Sequence, residues 1–306
     1  MFKSLRLTLA LSLGFVALPL LSAVSVGASS TPQCVVSLSP AATETLFAIG
    51  AGPQVQAVDT DSNYPVTGLP TKRINALNPS VEAIVGLCKT TASHPSAKPD
   101  LVIISYNAND IQQKLTGLGI KVILQGPPTT LNGAYREINQ LGSLTGHATK
   151  AASMATSLQA TIAKDVASIP AHPTKVVTVY FELDPTYYAY ASNTFAGSLL
   201  KSLGVVNIAD AKSTSIDAGY PQLSAEYVLS ANPKLIFLAD TICCHVNRAA
   251  LAKRSGFSSV SAVAHHHVVG LSDDVASRWG PRLGTLMNEL TAGVKSVLAD
   301  AALWKK

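Results

Sequence analysis

Short, nearly continuous apolar runs alternate along the chain with segments in which apolar residues recur every three or four positions. The runs are "VVSLS", "QVQAV", "DLVIIS" and "KVILQ" in the first half, and "KVVTVYFEL", "KLIFLAD" and "HVVGLS" in the second. Apolar runs of this length between helical segments are typical of buried parallel strands. The pattern therefore predicts an α/β protein with one series of parallel strands in each half.

One module occurs twice. Residues 78–105 read "NPSVEAIVGLCKTTASHPSAKPDLVIIS", and residues 222–239 read "QLSAEYVLSANPKLIFLA". Each copy contains a helix start with an early glutamate, a helix and then an apolar strand. Glu82 and Glu226 hold the same place in the two copies. A repeat of this kind predicts two similar α/β lobes with a cleft between them, rather than one enlarged core.

A long helix is predicted between the two copies. From Leu144 onward, apolar residues keep spacings of three and four until Pro170. About 24 helical residues at roughly 1.5 Å each would extend about 36 Å, which is enough to connect two lobes. We therefore predict lobes at 34–143 and 171–306 and a bridging helix at 144–170.

The N-terminal segment has the features of a secretory signal peptide. Lys3 and Arg6 precede a short apolar stretch, and small residues follow it, so we expect cleavage after Ala28 and a signal peptide at 1–28. An uncleaved anchor is the alternative. The prediction places the mature protein outside the cytoplasm, in a periplasm or a cell-wall space.

The charge pattern argues against a nucleic-acid partner. The formal net charge is +5, but the basic residues are spread along the chain without a basic run. Known catalytic patterns are also absent: the sequence has no G-x-S-x-G elbow, no glycine-rich phosphate loop and no H-E-x-x-H. We expect a protein that is not an enzyme; a secreted thiol-redox or hydrolytic enzyme is the alternative.

Four cysteines in an exported chain allow disulfides. Cys34 precedes the first strand and Cys88 lies in the loop before "DLVIIS", so both are predicted at the amino-terminal edge of one parallel sheet and close enough to bond. Cys243 and Cys244 follow "LIFLAD" at a carboxyl edge, where ligands collect in α/β sheets. For this pair, a vicinal disulfide that faces the cleft and two reduced cysteines in a turn both remain open.

No metal site or cofactor is expected. The three histidines at 265–267 are consecutive and precede a strand, so their side chains should face different directions.

Several segments, in order, resemble the substrate-binding proteins of ABC importers for vitamin B12 and ferric siderophores. They are "VVSLSPAATETLFAIGAG", "YPVTGLP", "KPDLVII", the long central helix, "YPQLSAEYVLSANP" and "SRWGPRL". The resemblance covers nearly all of the chain after residue 28. It implies two Rossmann-like lobes with parallel sheets bridged by a rigid helix, and a ligand held between them. It also implies a monomer that works with a dimeric membrane permease.

The resemblance gives the paired glutamates a role. In this family, one acidic residue on each lobe contacts arginines of the permease dimer, which implies docking roles for Glu82 and Glu226. Two separated carboxylates would also fix the orientation of a docked protein through charge-assisted bonds. The alternative is that each glutamate only stabilises the positive end of its helix.

The resemblance also implies a ligand site. Tyr64, Tyr106 and Tyr220 match positions where the family places aromatic residues around a large planar or macrocyclic ligand. Arg278 and Trp279 follow the last predicted strand, where a guanidinium could bind an anionic group while the indole stacks on the ligand. The alternatives are tyrosines that pack turns and an arginine that holds a helix start.

The expected cargo is a corrinoid or a ferric chelate, with a siderophore or haem carrier as the alternative. Several B12 binders have tryptophan at the positions of Ala76, Tyr106 and Tyr220, and this chain does not.

Overall fold

A computed structural model describes residues 31–171 and 174–305. The predicted signal peptide at 1–28 lies outside the described residues. Within the described part of the chain, no helix is both long enough and apolar enough to cross a membrane.

The structure contains two groups of strands, as the apolar runs predicted. The strands are β1 (Val35–Leu38), β2 (Val55–Asp59), β3 (Arg73–Ile74), β4 (Leu101–Ile104), β5 (Lys121–Leu124), β6 (Thr178–Glu182), β7 (Val206–Asn207), β8 (Leu235–Leu238) and β9 (Val268–Gly270). The helices are α1 (Pro40–Ala48), α2 (Val81–Val85), α3 (Ile111–Gly117), α4 (Leu131–Thr145), α5 (Ala148–Ala167), α6 (Phe195–Ser202), α7 (Ala225–Ala231), α8 (Arg248–Ala252), α9 (Ser261–Ala264), α10 (Asp273–Ser277) and α11 (Leu283–Ala299).

The strands form two fully parallel sheets. The first sheet has the order β3-β2-β1-β4-β5, and the second has the order β7-β6-β8-β9. The four residues of β1, β4 and β8 are all buried, which explains their continuous apolar sequences. The predicted fold class, two α/β lobes with parallel sheets, is confirmed.

The start of α1 shows how the sequence sets the helix boundaries. The Ser39 hydroxyl accepts a hydrogen bond from the backbone N–H of Ala42, and Pro40 occupies the first helical position. A serine cap followed by proline suits a helix start because the serine hydroxyl accepts a hydrogen bond from a helix N–H that would otherwise lack a partner, and proline has no N–H.

The central helical region differs from the prediction. In place of one helix at 144–170, the structure has α4 and α5 in sequence, joined at Gly146 and His147. Gly146 has φ of +78° and ends α4 in the left-handed conformation that glycine favours. The bridging helix α5 is therefore shorter than expected, and α4 packs along it in the first lobe.

One apolar core extends through both lobes. It includes Val35 and Ile103 from the first sheet, and Val179 and Phe237 from the second. Helix α11 packs against α5 within this core. Two smaller apolar clusters cover the other faces of the sheets. The two lobes therefore share part of one apolar core.

The structure contains the expected bond between Cys34 and Cys88, with Cα atoms 6.0 Å apart. Asp100 supports the same edge of the sheet, since its carboxylate accepts hydrogen bonds from the backbone N–H groups of Gln33 and Cys34. This edge lies opposite the carboxyl ends of the strands, where the candidate site is found.

Candidate functional site between the lobes

An aromatic pocket of about 240 Å³ lies where the two lobes meet. The first lobe contributes Pro127, which follows β5. The second lobe contributes the remaining lining residues, which include Leu183, Tyr190, Phe195, Tyr220 and Trp279. Leu183 directly follows β6 and Phe195 begins α6, so the pocket lies near the carboxyl edge of the second sheet, where α/β proteins usually bind ligands.

Ring contacts hold the walls of this pocket. The Tyr190 ring lies 5.7 Å from the Tyr220 ring in an edge-to-face arrangement, and 4.6 Å from the Phe181 ring beneath it. Burial raises the pKa of the Tyr220 hydroxyl, and burial raises that of Tyr190 still further. Both hydroxyls therefore stay protonated at neutral pH, and the pocket presents neutral aromatic surface.

Trp279 closes the pocket through a contact between the lobes. Its Nε1 donates a hydrogen bond to Oε2 of Glu137, a residue of α4, at 2.6 Å. Burial raises the pKa of Glu137 to about 7, against the opposing effects of the Trp279 hydrogen bond and the nearby Arg136 charge. The indole orientation thus depends on a carboxyl group that titrates near neutral pH.

A wide polar groove begins beside this contact. It has a volume of about 890 Å³ and runs between the loop 126–130 and one face of α4. Arg136, Glu137, Asn139 and Gln140 line it, and Pro127 lines both the groove and the aromatic pocket. The two cavities are therefore neighbours, one aromatic and one rich in hydrogen-bonding groups.

The structure places Arg278 in an ion network rather than on the pocket surface. Its guanidinium donates to Glu44 Oε1 at 2.8 Å, and it also contacts Asp274 and Asn63. Arg282 binds both oxygens of the same Glu44 carboxylate. Glu44 is fully buried and Arg278 is only 6% exposed, so the bond between their side chains is a buried contact between the lobes. A ligand role for Arg278 remains a prediction. In the structure its guanidinium joins the lobes mainly through side-chain partners, rather than holding a helix start through backbone carbonyls.

Two of the three predicted tyrosines lie away from the aromatic pocket. Tyr64 precedes a cis peptide bond to Pro65, and the guanidinium of Arg282 lies 4.6 Å from its ring centre. Tyr106 follows β4 and is 66% exposed. Of the predicted ligand residues, Tyr220 and Trp279 are brought together in the pocket, whereas ligand roles for Tyr64 and Tyr106 remain predictions.

The paired glutamates have matching local structures. Ser80 caps α2 and Ser224 caps α7, and the glutamate is the second helical residue in each case. The backbone N–H of each glutamate, and then the serine hydroxyl two residues earlier, lowers its pKa. Both carboxylates are exposed, one on each lobe, so both stay charged and available to a partner. The repeat in sequence is thus a repeat in structure.

The structure joins Cys243 and Cys244 in a vicinal disulfide. Both residues are exposed, and the Asp273 carboxylate accepts hydrogen bonds from the backbone N–H groups of Ile242 and Cys243. This loop is therefore anchored to the start of α10, the helix that leads to Trp279. Neither cysteine lines the aromatic pocket.

The consecutive histidines pair with an acidic residue. His267 and His265 each contact Asp300, at 3.0 Å and 3.3 Å. Among the described residues, no group of three or more histidine, cysteine or acidic side chains is arranged to hold a metal ion.

A buried carboxyl pair lies beneath the carboxyl edge of the second sheet. Glu182 forms two hydrogen bonds with the Arg254 guanidinium, at 2.6 and 2.7 Å, and Asp240 lies beside it at the end of β8. Burial, and then the neighbouring Glu182 charge, raise the pKa of Asp240 to about 7. Asp240 therefore retains its proton through the acidic range.

We expect Asp240→Asn to stabilise the protein more at pH 8 than at pH 5, relative to the parent protein. The folded-state pKa lies above the ordinary value of 3.8, so the contribution of Asp240 to stability is complete below about pH 4. It is lost as the pH rises from about 4 to about 7, because the unfolded chain releases this proton in that range while the folded protein still holds it. Asparagine is neutral throughout. Urea unfolding at both pH values measures the difference, and an equal effect at the two would contradict the assignment.

A family model for periplasmic binding proteins matches residues 35–275. The chain belongs to this family. A cobalamin-binding protein of Halobacterium salinarum is 29% identical over 262 residues, which cover 83% of this chain and 67% of that protein. An uncharacterized ABC transporter substrate-binding lipoprotein of Bacillus subtilis is 29% identical over 273 residues, or 86% of this chain and 80% of the relative.

Solved structures show the same fold. The periplasmic vitamin B12-binding protein of Vibrio cholerae superposes with a TM-score of 0.71 at 24% identity, covering 88% of this chain and 99% of that chain. A periplasmic heme-binding protein from Roseiflexus gives a TM-score of 0.72 at 23% identity, with coverages of 87% and 98%.

The chain is thus a substrate-binding protein of an ABC importer. It acts outside the cytoplasm with a membrane permease, and its family is one of transport proteins rather than enzymes. The family expected from the ordered sequence segments is confirmed.

Sequence reasoning missed several residues of the site. Glu137, Tyr190 and Phe195 line the pocket or its boundary, and Glu44 anchors the network between the lobes. A signal existed for Glu44, because a charged residue in the otherwise apolar segment "PAATETLFAIG" suggests a buried partner. No local pattern distinguishes Glu137 from a solvated helix residue.

Proposed function

We propose that this protein captures a corrinoid or a ferric chelate between its lobes and delivers it to the permease. The observation that carries the proposal is the aromatic pocket at the lobe boundary, formed by Tyr190, Tyr220, Phe195 and Trp279. Aromatic faces supply a large contact area to flat or macrocyclic ligands at low entropic cost. The cobalamin-binding relative supports this class of cargo.

The dimensions of the two cavities suggest how such a cargo is held. The aromatic pocket, at about 240 Å³, is smaller than the roughly 300–1,000 Å³ that is typical of complete small-molecule sites. By its size, the pocket suits one edge of a large ligand. The adjoining groove, at about 890 Å³, offers room and polar partners for the remainder.

The chemistry of the pocket favours a cargo that brings its own metal ligands. A haem needs an axial ligand from the protein, such as histidine or a tyrosine phenolate. The described residues that line the pocket include no histidine, and burial raises the pKa of both tyrosines there. The aromatic pocket by itself thus favours a corrinoid or a fully coordinated siderophore over haem, for which the predicted ligand residues Tyr64 and Tyr106 are the remaining candidate axial ligands.

Docking is proposed to use the two exposed glutamates. Glu82 and Glu226 lie at matching positions of the two lobes and stay ionised, so they can form charge-assisted bonds with two basic sites on a dimeric permease. A single protein molecule with two similar lobes suits a partner that has two similar subunits, and we expect the binding protein to act as a monomer.

Calorimetric titration of the exported chain tests the cargo. We expect binding of cyanocobalamin, cobinamide or a ferric siderophore with sub-micromolar affinity, and weaker binding of haemin. Tyr220→Ala should weaken that binding by about tenfold or more, since an aromatic wall of the pocket is removed.

Tyr227→Ala is the matched control, because Tyr227 lies on α7 outside the pocket and its hydroxyl donates to the Ile208 carbonyl. Cooperative unfolding of both variants should first be checked, to show that each is folded when the affinities are compared. Failure of every probe to bind the parent protein would refute the proposed cargo class.

A further inference from the structure

Glu137 lies at the junction of two cavities that the fold places side by side. Its Oε2 accepts the hydrogen bond from Trp279, a residue 142 positions away in the other lobe. Trp279 lines the aromatic pocket, Glu137 lines the polar groove, and Pro127 lines both. Glu137 therefore lies beside the boundary that a ligand would cross on extending from the pocket into the groove.

The groove offers hydrogen-bonding groups close to this junction. Arg136 and Asn139 are exposed there, and Gln140 accepts a hydrogen bond from the Gln125 amide. Within the described residues, Oε2 of Glu137 forms a side-chain hydrogen bond and Oε1 forms none. Oε1 is thus the atom of this carboxyl group that remains for a ligand.

Few charged side chains lie near the Glu137 carboxyl group on the helix, the loop and the lobe that surround it. Arg136, on the same helix, is the neighbouring charge that acts on it. The loop 126–130 contributes only glycine, proline and threonine. The second lobe contributes Trp279 and the adjacent Arg278, whose guanidinium is already bound to Glu44 and Asp274. Burial of Glu137 is therefore poorly compensated, and its pKa of about 7 reflects this.

We propose that Glu137 is a specificity-determining residue of the cargo site. As cargo enters the groove, Glu137 takes up a proton from solvent and donates a hydrogen bond from Oε1 to an oxygen acceptor of the cargo. Its Oε2 continues to accept the hydrogen bond from Trp279. The preferred cargo therefore carries an amide carbonyl, carboxylate or phosphate oxygen on the part that lies in the groove. This inference rests on the proposed function.

A ligand covering Glu137 removes it further from water, which favours the neutral carboxyl group. Binding should therefore consume close to one proton at pH 8 and almost none at pH 6. For a group with a starting pKa near 7, affinity should be about tenfold higher at pH 6 than at pH 8.

Calorimetry in two buffers of different ionisation enthalpy measures this proton uptake directly. The probes are cyanocobalamin, which carries a phosphate and amides, and cobinamide, which lacks the nucleotide. Glu137→Gln should bind at pH 6 with affinity close to that of the parent protein, since glutamine can still accept from Trp279 and donate to the cargo. Its affinity should not change with pH. Greater proton uptake with cyanocobalamin than with cobinamide would identify the phosphate as the group in the groove, and equal uptake would identify an amide.

The matched control is Glu289→Gln on α11. Burial also raises the pKa of Glu289, but this residue does not line the pocket or the groove. The control variant should keep the pH dependence of the parent protein. Binding of a probe without proton uptake, or the same pH dependence in Glu137→Gln, would overturn the inference and leave the proposed function intact. If no probe binds at either pH, the proposed function fails and the inference fails with it.

A second measurement needs no ligand. The chain has two tryptophans, Trp279 and Trp304, so Trp304→Phe leaves Trp279 as the only indole emitter. Its fluorescence should change with a midpoint near pH 7, and Glu137→Gln should abolish that transition. An unchanged fluorescence transition in the variant Trp304→Phe/Glu137→Gln would show that another group titrates beside Trp279, which contradicts the proposal.

Discussion

Glu44→Ala should lower the free energy of unfolding by about 3–5 kcal/mol. Glu44 is fully buried on α1 of the first lobe, and its carboxylate binds the guanidinium groups of Arg278 and Arg282 from the second. Removing the carboxylate leaves two positive charges partly buried, with Asp274 as the remaining acidic partner of Arg278. Loss of one partner of a buried pair is costly because the other charge stays desolvated.

Urea unfolding at neutral pH measures this effect. Glu226→Ala serves as the control, because that carboxylate is exposed and its removal should leave the free energy of unfolding nearly unchanged. Glu44→Gln separates charge from shape, since it keeps the size of the side chain while removing its charge. A loss below about 1 kcal/mol in Glu44→Ala would show that the network contributes little to joining the lobes.

The same network explains why the role of Arg278 could not be obtained from its local sequence. "SRWGPRL" places a guanidinium beside an indole at a carboxyl edge, which suits ligand binding. The partner that captures the guanidinium, Glu44, is 234 residues earlier in the chain. Pairing over such a distance depends on how the lobes pack, and a single sequence carries no direct record of that packing.

Strands and paired modules were more predictable because their signals are local. The apolar runs that form β1, β4, β6 and β8 are buried on both faces, so their composition alone indicates a strand. The bond between Cys34 and Cys88 followed from the rule that loops preceding parallel strands share one edge. The short strands β3 and β7, of two residues each, carry too little pattern to be recognised.

Helix α4 was missed although its signals were present. Thr130 caps it and Gly146 ends it, and its buried residues Ala134, Ile138 and Leu141 keep helical spacing. Glycine and polar residues interrupt the apolar face of α4. The apolar spacing of the bridging helix that follows is more regular, and only that helix was predicted. Since Glu137 lies on α4, missing this helix also concealed the polar side of the cleft.

Charge reversal at both docking positions should abolish cargo uptake while cargo binding is retained. In the variant Glu82→Lys/Glu226→Lys, each lobe would present a positive charge to the basic sites proposed on the permease. Repulsion then replaces two charge-assisted bonds, so we expect affinity for the permease to fall by about tenfold or more. Each single variant should show a smaller loss, because one lobe still docks.

The measurement is uptake of labelled cargo by vesicles that contain the permease, alongside calorimetry of cargo binding by the same protein samples. Gln159→Lys, which adds a positive charge at an exposed position of the bridging helix α5, is the control for each single variant and should support uptake at the parent rate. Higher salt should weaken docking of the parent protein, since exposed charges are screened over about 8 Å at physiological ionic strength.

The two glutamates have a second possible role, and the same experiment separates it from docking. If each carboxylate only stabilised the positive end of its short helix, charge reversal would lower the stability of the protein slightly and leave uptake intact. Docking predicts the opposite pattern, in which uptake is lost and the unfolding midpoint changes little. Normal uptake by the variant Glu82→Lys/Glu226→Lys would therefore show that the two glutamates only stabilise the starts of their helices. The repeated serine caps would then account for their matching positions.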